Sequence, residues 1–294
     1  MKPLTEELLK NIAEHKKWLE SKGRQGKCWT FTGDLSGYHF KDLNLKRCVL
    51  IGCNLRSTIF ENVNLTEARI INCKLSNAEL TGCNMNFISV LDSIGYRTKF
   101  HNCVITGGSF RNTHFIEHKM HDINLSRCDI ANCTIEDGEL SKLILSGSNI
   151  TNASIESSDI DTVAMDFARC ENTIITDCSI KNASLFECIC NNSRLTGELT
   201  KCRFPQAVFI NTELAGDFTD CTFESAYFYE CSTRFNPELL ENAIEETRRD
   251  YKGNNDWSEK WMYQRIEKIK EKNAVCCFGR EESVRKLNCT KSRR

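Results

Sequence analysis

The chain has 294 residues, 40% hydrophobic and 27% charged, with a net charge of −1. That length fits one long repeat domain with caps, or two ordinary domains. No apolar run approaches the ~20 residues of a membrane-spanning helix. The 18 cysteines come without a signal peptide and so read as buried free thiols in a reducing, cytoplasmic setting rather than as a disulfide scaffold.

Residues 1–32 carry 7 basic and 4 acidic side chains. Within them, residues 4–22 read as an amphipathic helix with Leu8, Leu9, Ile12, Trp18 and Leu19 on one stripe and Gly23 as the stop. Its expected role is a lid on whatever follows.

Residues 33–232 are organised by a period of five. From Leu35 to Leu195 one register runs through Phe40, Leu45, Leu50, Leu55, Phe60, Leu65, Ile70, Leu75 and Leu80, and then through Phe100, Phe110, Leu125, Leu140 and Leu185. Of its 33 positions, 30 are Leu, Ile, Phe, Met or Val, and the exceptions are Gly95, Cys170 and Cys190. Two residues earlier lies a column of small residues, among them Cys48, Cys53, Thr58, Ala68, Cys73, Ala78 and Cys83. Five fits neither a helix face nor a strand. It fits a chain that turns a corner every five residues and points one large and one small side chain inward per side. Four sides close a square, which places residue n under residue n+20 at strand spacing.

After Leu195 the register slips to Leu199, Phe204, Phe209 and Leu214, and slips again to Phe218, Phe223 and Phe228. The expected fold is an all-β solenoid of about ten coils, ~48 Å long, with a filled interior. Twelve cysteines fall in the small column, where Cys acts as a compact apolar filler. Local bulges are expected at Gly95 and at His118, which falls in the small column.

Residues 233–273 read as a helical hairpin. Asn236 and Pro237 form an N-cap and first turn, and Leu239, Leu240, Ala243, Ile244, Thr247 and Tyr251 form an apolar stripe. Asp256 to Glu259 caps a second helix. Trp257, Trp261 and Tyr263 are candidate partner-binding aromatics, with a capping role as the alternative. Residues 274–294, with Cys276, Cys277 and Cys289, read as a mobile tail.

The triplets Cys53-Asn54-Leu55, Val63-Asn64-Leu65, Ala78-Glu79-Leu80, Cys83-Asn84-Met85 and Ala183-Ser184-Leu185 resemble the Ala-(Asp/Asn)-Leu-x-x unit of the pentapeptide-repeat family. The resemblance covers about two-thirds of the chain. It implies a right-handed quadrilateral β-helix and, through the hairpin residues, a bacterial type of C-terminal architecture. It specifies fold far more than function.

No nucleophile–base pair, phosphate-binding loop or metal-ligand spacing is visible, so no catalytic, cofactor-binding or metal residue is assigned. His114, His118 and His121 cluster in sequence, but successive residues of a β-helix point different ways. The expected function is a non-enzymatic scaffold that binds a protein of unknown identity through a shaft face or the C-terminal hairpin, with a homodimer through a solenoid end left open. The resemblance raises two alternatives: a DNA mimic that binds a type II topoisomerase, and a bacterial effector acting in a host cell. Residues 33–232 hold 17 basic and 25 acidic side chains, a net of −8, which has the sign for mimicry but not duplex charge density. No direct nucleic-acid binding is expected.

Overall fold

The computed structural model describes residues 2–229, 231–234 and 239. The expected hairpin from Asn236 onward, the tail and the candidate residues Trp257, Trp261 and Tyr263 lie outside them, Leu239 excepted.

The chain opens with helix α1 (Glu6–Glu20), capped by Thr5, whose side chain accepts from the Leu8 N–H. Gly23 closes it at φ +87°, with its N–H on the Trp18 carbonyl at 2.8 Å. The stripe differs from expectation at one position: Leu9 is 51% exposed, and His15 is fully buried instead. The Nδ1 of His15 accepts the Trp29 N–H at 2.9 Å, which ties the lid to the first coil. That bond fixes the neutral tautomer with its proton on Nε2, and burial lowers the His15 pKa.

Beyond the lid the backbone winds as a solenoid of parallel strands. Phe40 pairs with Phe60, Leu80 with Phe100 and Met120 with Leu140, each twenty residues apart. We number the four sides by their core residues: the first through Leu50, the second through Leu55, the third through Phe60 and the fourth through Leu65. The first side is an 11-stranded sheet from Thr30–Phe31 to Tyr227–Tyr229. The second and third join in a 15-stranded sheet whose strands bend through the corners. The large column is the interior: Leu35, Phe40, Leu45, Leu55, Phe60, Leu65, Phe204 and Phe223 are at most 2% exposed, and Leu75, Leu80, Phe100, Phe110, Leu125, Leu140, Leu185 and Leu195 are also buried. Phe40 stacks on Phe60 and Phe204 on Phe223, with centroids 5.2 and 4.6 Å apart.

The corners explain why this chain can turn every five residues. Each residue two positions after a large core residue, from Gly37 to Asn192, has positive φ, and the non-glycine ones lie between 48° and 65°. An L-residue resists that region, and Asn and Asp resist least because the short polar side chain bonds locally. One corner carries them as a ladder. Asn112 donates to Asp92, Asn132 to Asn112, Asn152 to Asn132 and Asn172 to Asn152, at 2.8 to 3.2 Å.

The two late slips have a backbone cause. Leu195 to Leu199 and Leu214 to Phe218 are four-residue sides, and each contains a glycine, Gly197 at φ +140° and Gly216 at φ +127°. A Cβ on Gly197 would lie 2.2 Å from the Cys178 carbonyl oxygen, and one on Gly216 would lie 2.0 Å from that of Gly197. A shortened side brings the backbone onto the coil below, and only glycine fits. The bulge therefore sits between Ile175 and Cys178, against Gly197. The bulges expected at Gly95 and His118 are absent: Gly95 pairs with Phe115, and Lys119 with Lys99, in unbroken register. Shape compensation replaces them. The Phe115 ring occupies the space a Cβ on Gly95 would need, and Gly138, one coil on, makes room for the His118 imidazole.

The interior is not completely filled, contrary to expectation. Apolar voids of about 60 and 50 Å³ lie beside Ile130 and Ile135 and beside Cys170 and Cys190. Branched Ile and short Cys fill a square coil less well than Leu or Phe. None of the 15 described cysteines is in a disulfide. Most donate down the shaft, as Cys73 does to the Leu50 carbonyl at 3.5 Å.

Candidate interaction face

Because inward residues alternate with outward ones, each side presents two outward rows to solvent. The rows follow from the register, so the surface chemistry can be read side by side.

The third side is charged. From Ile59 to Lys181, eight of its 14 outward positions are Asp, Glu or Lys, and two more are His101 and His121, which stack at 5.1 Å. Ion pairs run between its coils, Lys99 to Glu79 and Lys119 to Glu139, both at 2.7 Å. Around the corners the same device repeats, with Arg47 on Glu67 and Arg97 on Glu117. Hydrogen bonds from Tyr96 and Arg97 hold the Glu117 carboxyl below the usual carboxylate range.

The fourth side is different. One row runs Asn64, Asn84, Val104, Asn124, Ile144, Ala164 and Ser184, stacked by backbone pairing. The other runs Thr66, Asn86, Thr106, Ser126, Ser146, Asp166 and Phe186. Only one of these 14 positions, Asp166, is charged. Its carboxylate accepts from the Ser184 hydroxyl at 2.6 Å and the Phe186 N–H at 2.9 Å. The amides lie flat for the same reason: Asn86 accepts the Thr106 N–H and Asn124 the Ser126 N–H, at 3.0 and 2.9 Å. Among them Val104 and Ile144 are 43% and 40% exposed, and Phe87 stands at the adjoining corner at 53%. Phe167 and Phe186 meet edge to face at 5.4 Å. Glu67, Arg127 and Glu187 lie at that corner and rim the face with charge. An uncharged centre with aromatics and a charged rim is the composition of a protein interface.

The acidic excess is local. Glu136 stacks on Glu156 on the second side, Glu139 on Asp159 on the third, and Asp137 and Asp177 occupy the corner between. Like charges placed directly opposite destabilise a sheet. Glu156, Asp159 and Asp161 belong to this patch but not to one face, since Ser157 turns the corner between them. The patch spans about two strand spacings, ~10 Å.

His114 points outward on the second side, while on the third His118 points inward and His121 outward, so the three do not converge. Among the described residues no group of three or more His, Cys, Asp or Glu is placed to hold a metal. No helix among them is long and apolar enough to cross a membrane. Sequence reasoning missed the uncharged face, although the signal exists as a run of Asn, Ser and Thr at intervals of twenty.

No curated protein sequence matches the chain. Solved structures similar to it include HetL from the cyanobacterium Nostoc sp. strain PCC 7120, a pentapeptide-repeat protein involved in heterocyst differentiation regulation. It is 16% identical over 73% of this chain and 93% of that one, with a TM-score of 0.26. Full-length QnrB1, a plasmid-mediated fluoroquinolone resistance protein, is 10% identical over 74% and 99%, with a TM-score of 0.30. Rfr23, a pentapeptide-repeat protein from the cyanobacterium Cyanothece 51142, is 15% identical over 60% and 93%, with a TM-score of 0.18. The family model of pentapeptide repeats matches residues 48–86 in 8 copies. Residues 48–86 are thus pentapeptide repeats, and the same five-residue unit stacks along the shaft on either side of them.

Proposed function

We propose that the protein is a non-enzymatic, rigid scaffold in the cytoplasm that binds a partner protein along the fourth side of its shaft. The observation that carries this is the segregation of charge: one charged residue in 14 outward positions there, against eight in 14 on the third side. From Asn64 to Ser184 the face is ~29 Å long and about one strand segment, ~10 Å, wide. Those are the dimensions of one α-helix or extended segment laid along the shaft. The buried thiols, none of them in a disulfide among the described residues, support a reducing compartment.

The test is capture of binding partners by the full chain, compared with Val104→Lys/Ile144→Glu on the fourth side and Thr81→Lys/Ser141→Lys on the third. Loss of the same partner in the first variant only is expected. Equal capture by both variants would remove the fourth side from consideration. Loss on Trp261→Ala alone would move the site to the C-terminal aromatics.

The acidic patch favours a second reading, topoisomerase binding by DNA mimicry. Its short extent and the ion pairs elsewhere on the shaft weaken that reading. A supercoiling assay tests it: inhibition or protection that falls with added salt and with Glu156→Gln/Asp159→Asn would restore it.

A further inference from the structure

The corner where the fourth side turns into the first carries, coil by coil, Phe87, Gly107, Arg127, Gly147 and Phe167. The order reads alike from either end, with Arg127 at its centre. The face beside it follows the same order. Exposed Val104 and Ile144 stand on the two glycine coils, one below Arg127 and one above, and Asn124 lies between them. Arg127 is exposed, and its guanidinium has no hydrogen-bond or ion-pair partner among the described residues. By contrast Arg47, Arg97, Arg111 and Arg194 each meet a carboxylate one coil away. The carboxylate nearest to Arg127 along the chain, Asp129, is the one that Arg111 takes. Glu67 and Glu187 stand on the same corner three coils off, ~14 Å away, beyond the ~8 Å over which exposed charges act. An unanswered cation is therefore centred between two exposed aliphatic side chains on a face otherwise almost free of charge.

We infer that the partner of the fourth side is an α-helix that sets a carboxylate on Arg127 between two large aliphatic side chains seven residues apart. This rests on the reading that the fourth side binds a protein, and it names the class of that protein's binding segment. Charge and spacing select it. Val104 and Ile144 are two strand spacings apart, ~9.6 Å. Residues i and i+7 of a helix are ~10.5 Å apart on one face, and residue i+3 or i+4 lies between them, level with Arg127. An extended segment fits worse, because its same-face side chains recur every ~6.8 Å. The glycines break the ridge of the corner on the coils of Val104 and Ile144, so large side chains of the helix reach both aliphatics past Phe87 and Phe167. A second copy of the chain docked by a two-fold axis at this centre would press Arg127 on its own equivalent. Like charges brought together in that way reject a partner.

The probes are fluorescein-labelled helical peptides of ~19 residues, the length of the face, in an Ala/Gln/Lys host. Each carries two Leu seven residues apart, with Glu midway in one peptide and Lys in the other. Binding to the full chain is read by fluorescence anisotropy. The Glu peptide is expected to bind wild type about tenfold more tightly than the Lys peptide. Arg127→Glu should reverse that order. The fold accepts this change, since Glu67 and Glu187 occupy the same corner at φ 59° and 50°. Val104→Lys/Ile144→Glu should weaken both peptides. No binding of the Glu peptide to wild type, or an order that Arg127→Glu leaves unchanged, would overturn the inference. So would a dimer in sedimentation that Val104→Lys/Ile144→Glu dissociates, because the occupant would then be a second copy. The broader reading fails separately: if Val104→Lys/Ile144→Glu captures partners as wild type does, both fall. If that variant loses the partner while the peptide order does not reverse, only the helix and its carboxylate are wrong.

Discussion

His118 makes acid stability a test of the interior. Its side chain is 1% exposed, and neither ring nitrogen has a partner. The Phe115 ring lies 5.9 Å away, and Gly138 is the nearest residue of the next coil. Burial lowers its pKa from 6.5 to about 4, because the imidazolium would lose its hydration without gaining a counter-charge. In the unfolded chain the ring titrates near its ordinary value. Between those two values the unfolded state therefore binds more protons than the folded one, and stability falls as the pH falls. The contribution is complete above pH 6.5 and is lost as the pH drops to about 4. At 1.36 kcal/mol per pKa unit the loss is about 3 kcal/mol. Carboxylates titrate in the same window, so the assay compares variants. Chemical denaturation of wild type and His118→Leu at pH 7.5, 6, 5 and 4 isolates the one group. Leu is close in volume and leaves no unpaired nitrogen, so His118→Leu is expected to be more stable at pH 7.5 by ~1–2 kcal/mol. The gap should widen by about 3 kcal/mol at pH 4. A gap that stays constant with pH refutes the reasoning, since His118 would then titrate alike in both states.

Five further substitutions probe the shaft. Phe60→Asp places an unpaired charge at a fully buried position and should abolish the thermal transition, whereas Cys73→Ala keeps a small apolar group and should shift the melt by only a few degrees. Gly216→Ala drives a Cβ into the Gly197 carbonyl oxygen at a φ of +127° and should cost ~3 kcal/mol or more by denaturant titration. Gly52→Asn, with open space around the Cβ position and a corner φ of +62° that Asn tolerates, should be neutral or stabilising. Cys190→Leu fills the void of about 50 Å³ beside it. At ~24 cal/mol per Å³ a perfect fit would add about 1 kcal/mol, and a lower melting temperature would show that the void cannot accept a branched side chain.

The inward half of this protein was legible before any coordinate. A corner every five residues is a local backbone property, and the residue two positions after each core residue announces it by being Asn, Asp or Gly so often. Phe60, Leu65 and Phe204 could be placed in the interior because the square coil offers no other position to a large apolar residue on that register. The four-residue slips were legible too, but their cause was not. Gly197 and Gly216 matter because of a carbonyl one coil below, and that neighbour exists only once the coil has closed. The outward half depends wholly on closure. Lys99 meets Glu79, Asn132 meets Asn112 and Glu136 stacks on Glu156 because twenty residues make one turn, so a charge that looked spread along the chain gathers on some sides and leaves the fourth. Burial of Ile189, Val208 and Tyr227 was the least legible of all. Their spacing places them on the outward row of the first side, and how far an outward residue is shielded is set by the folded chain and not by its place in the repeat.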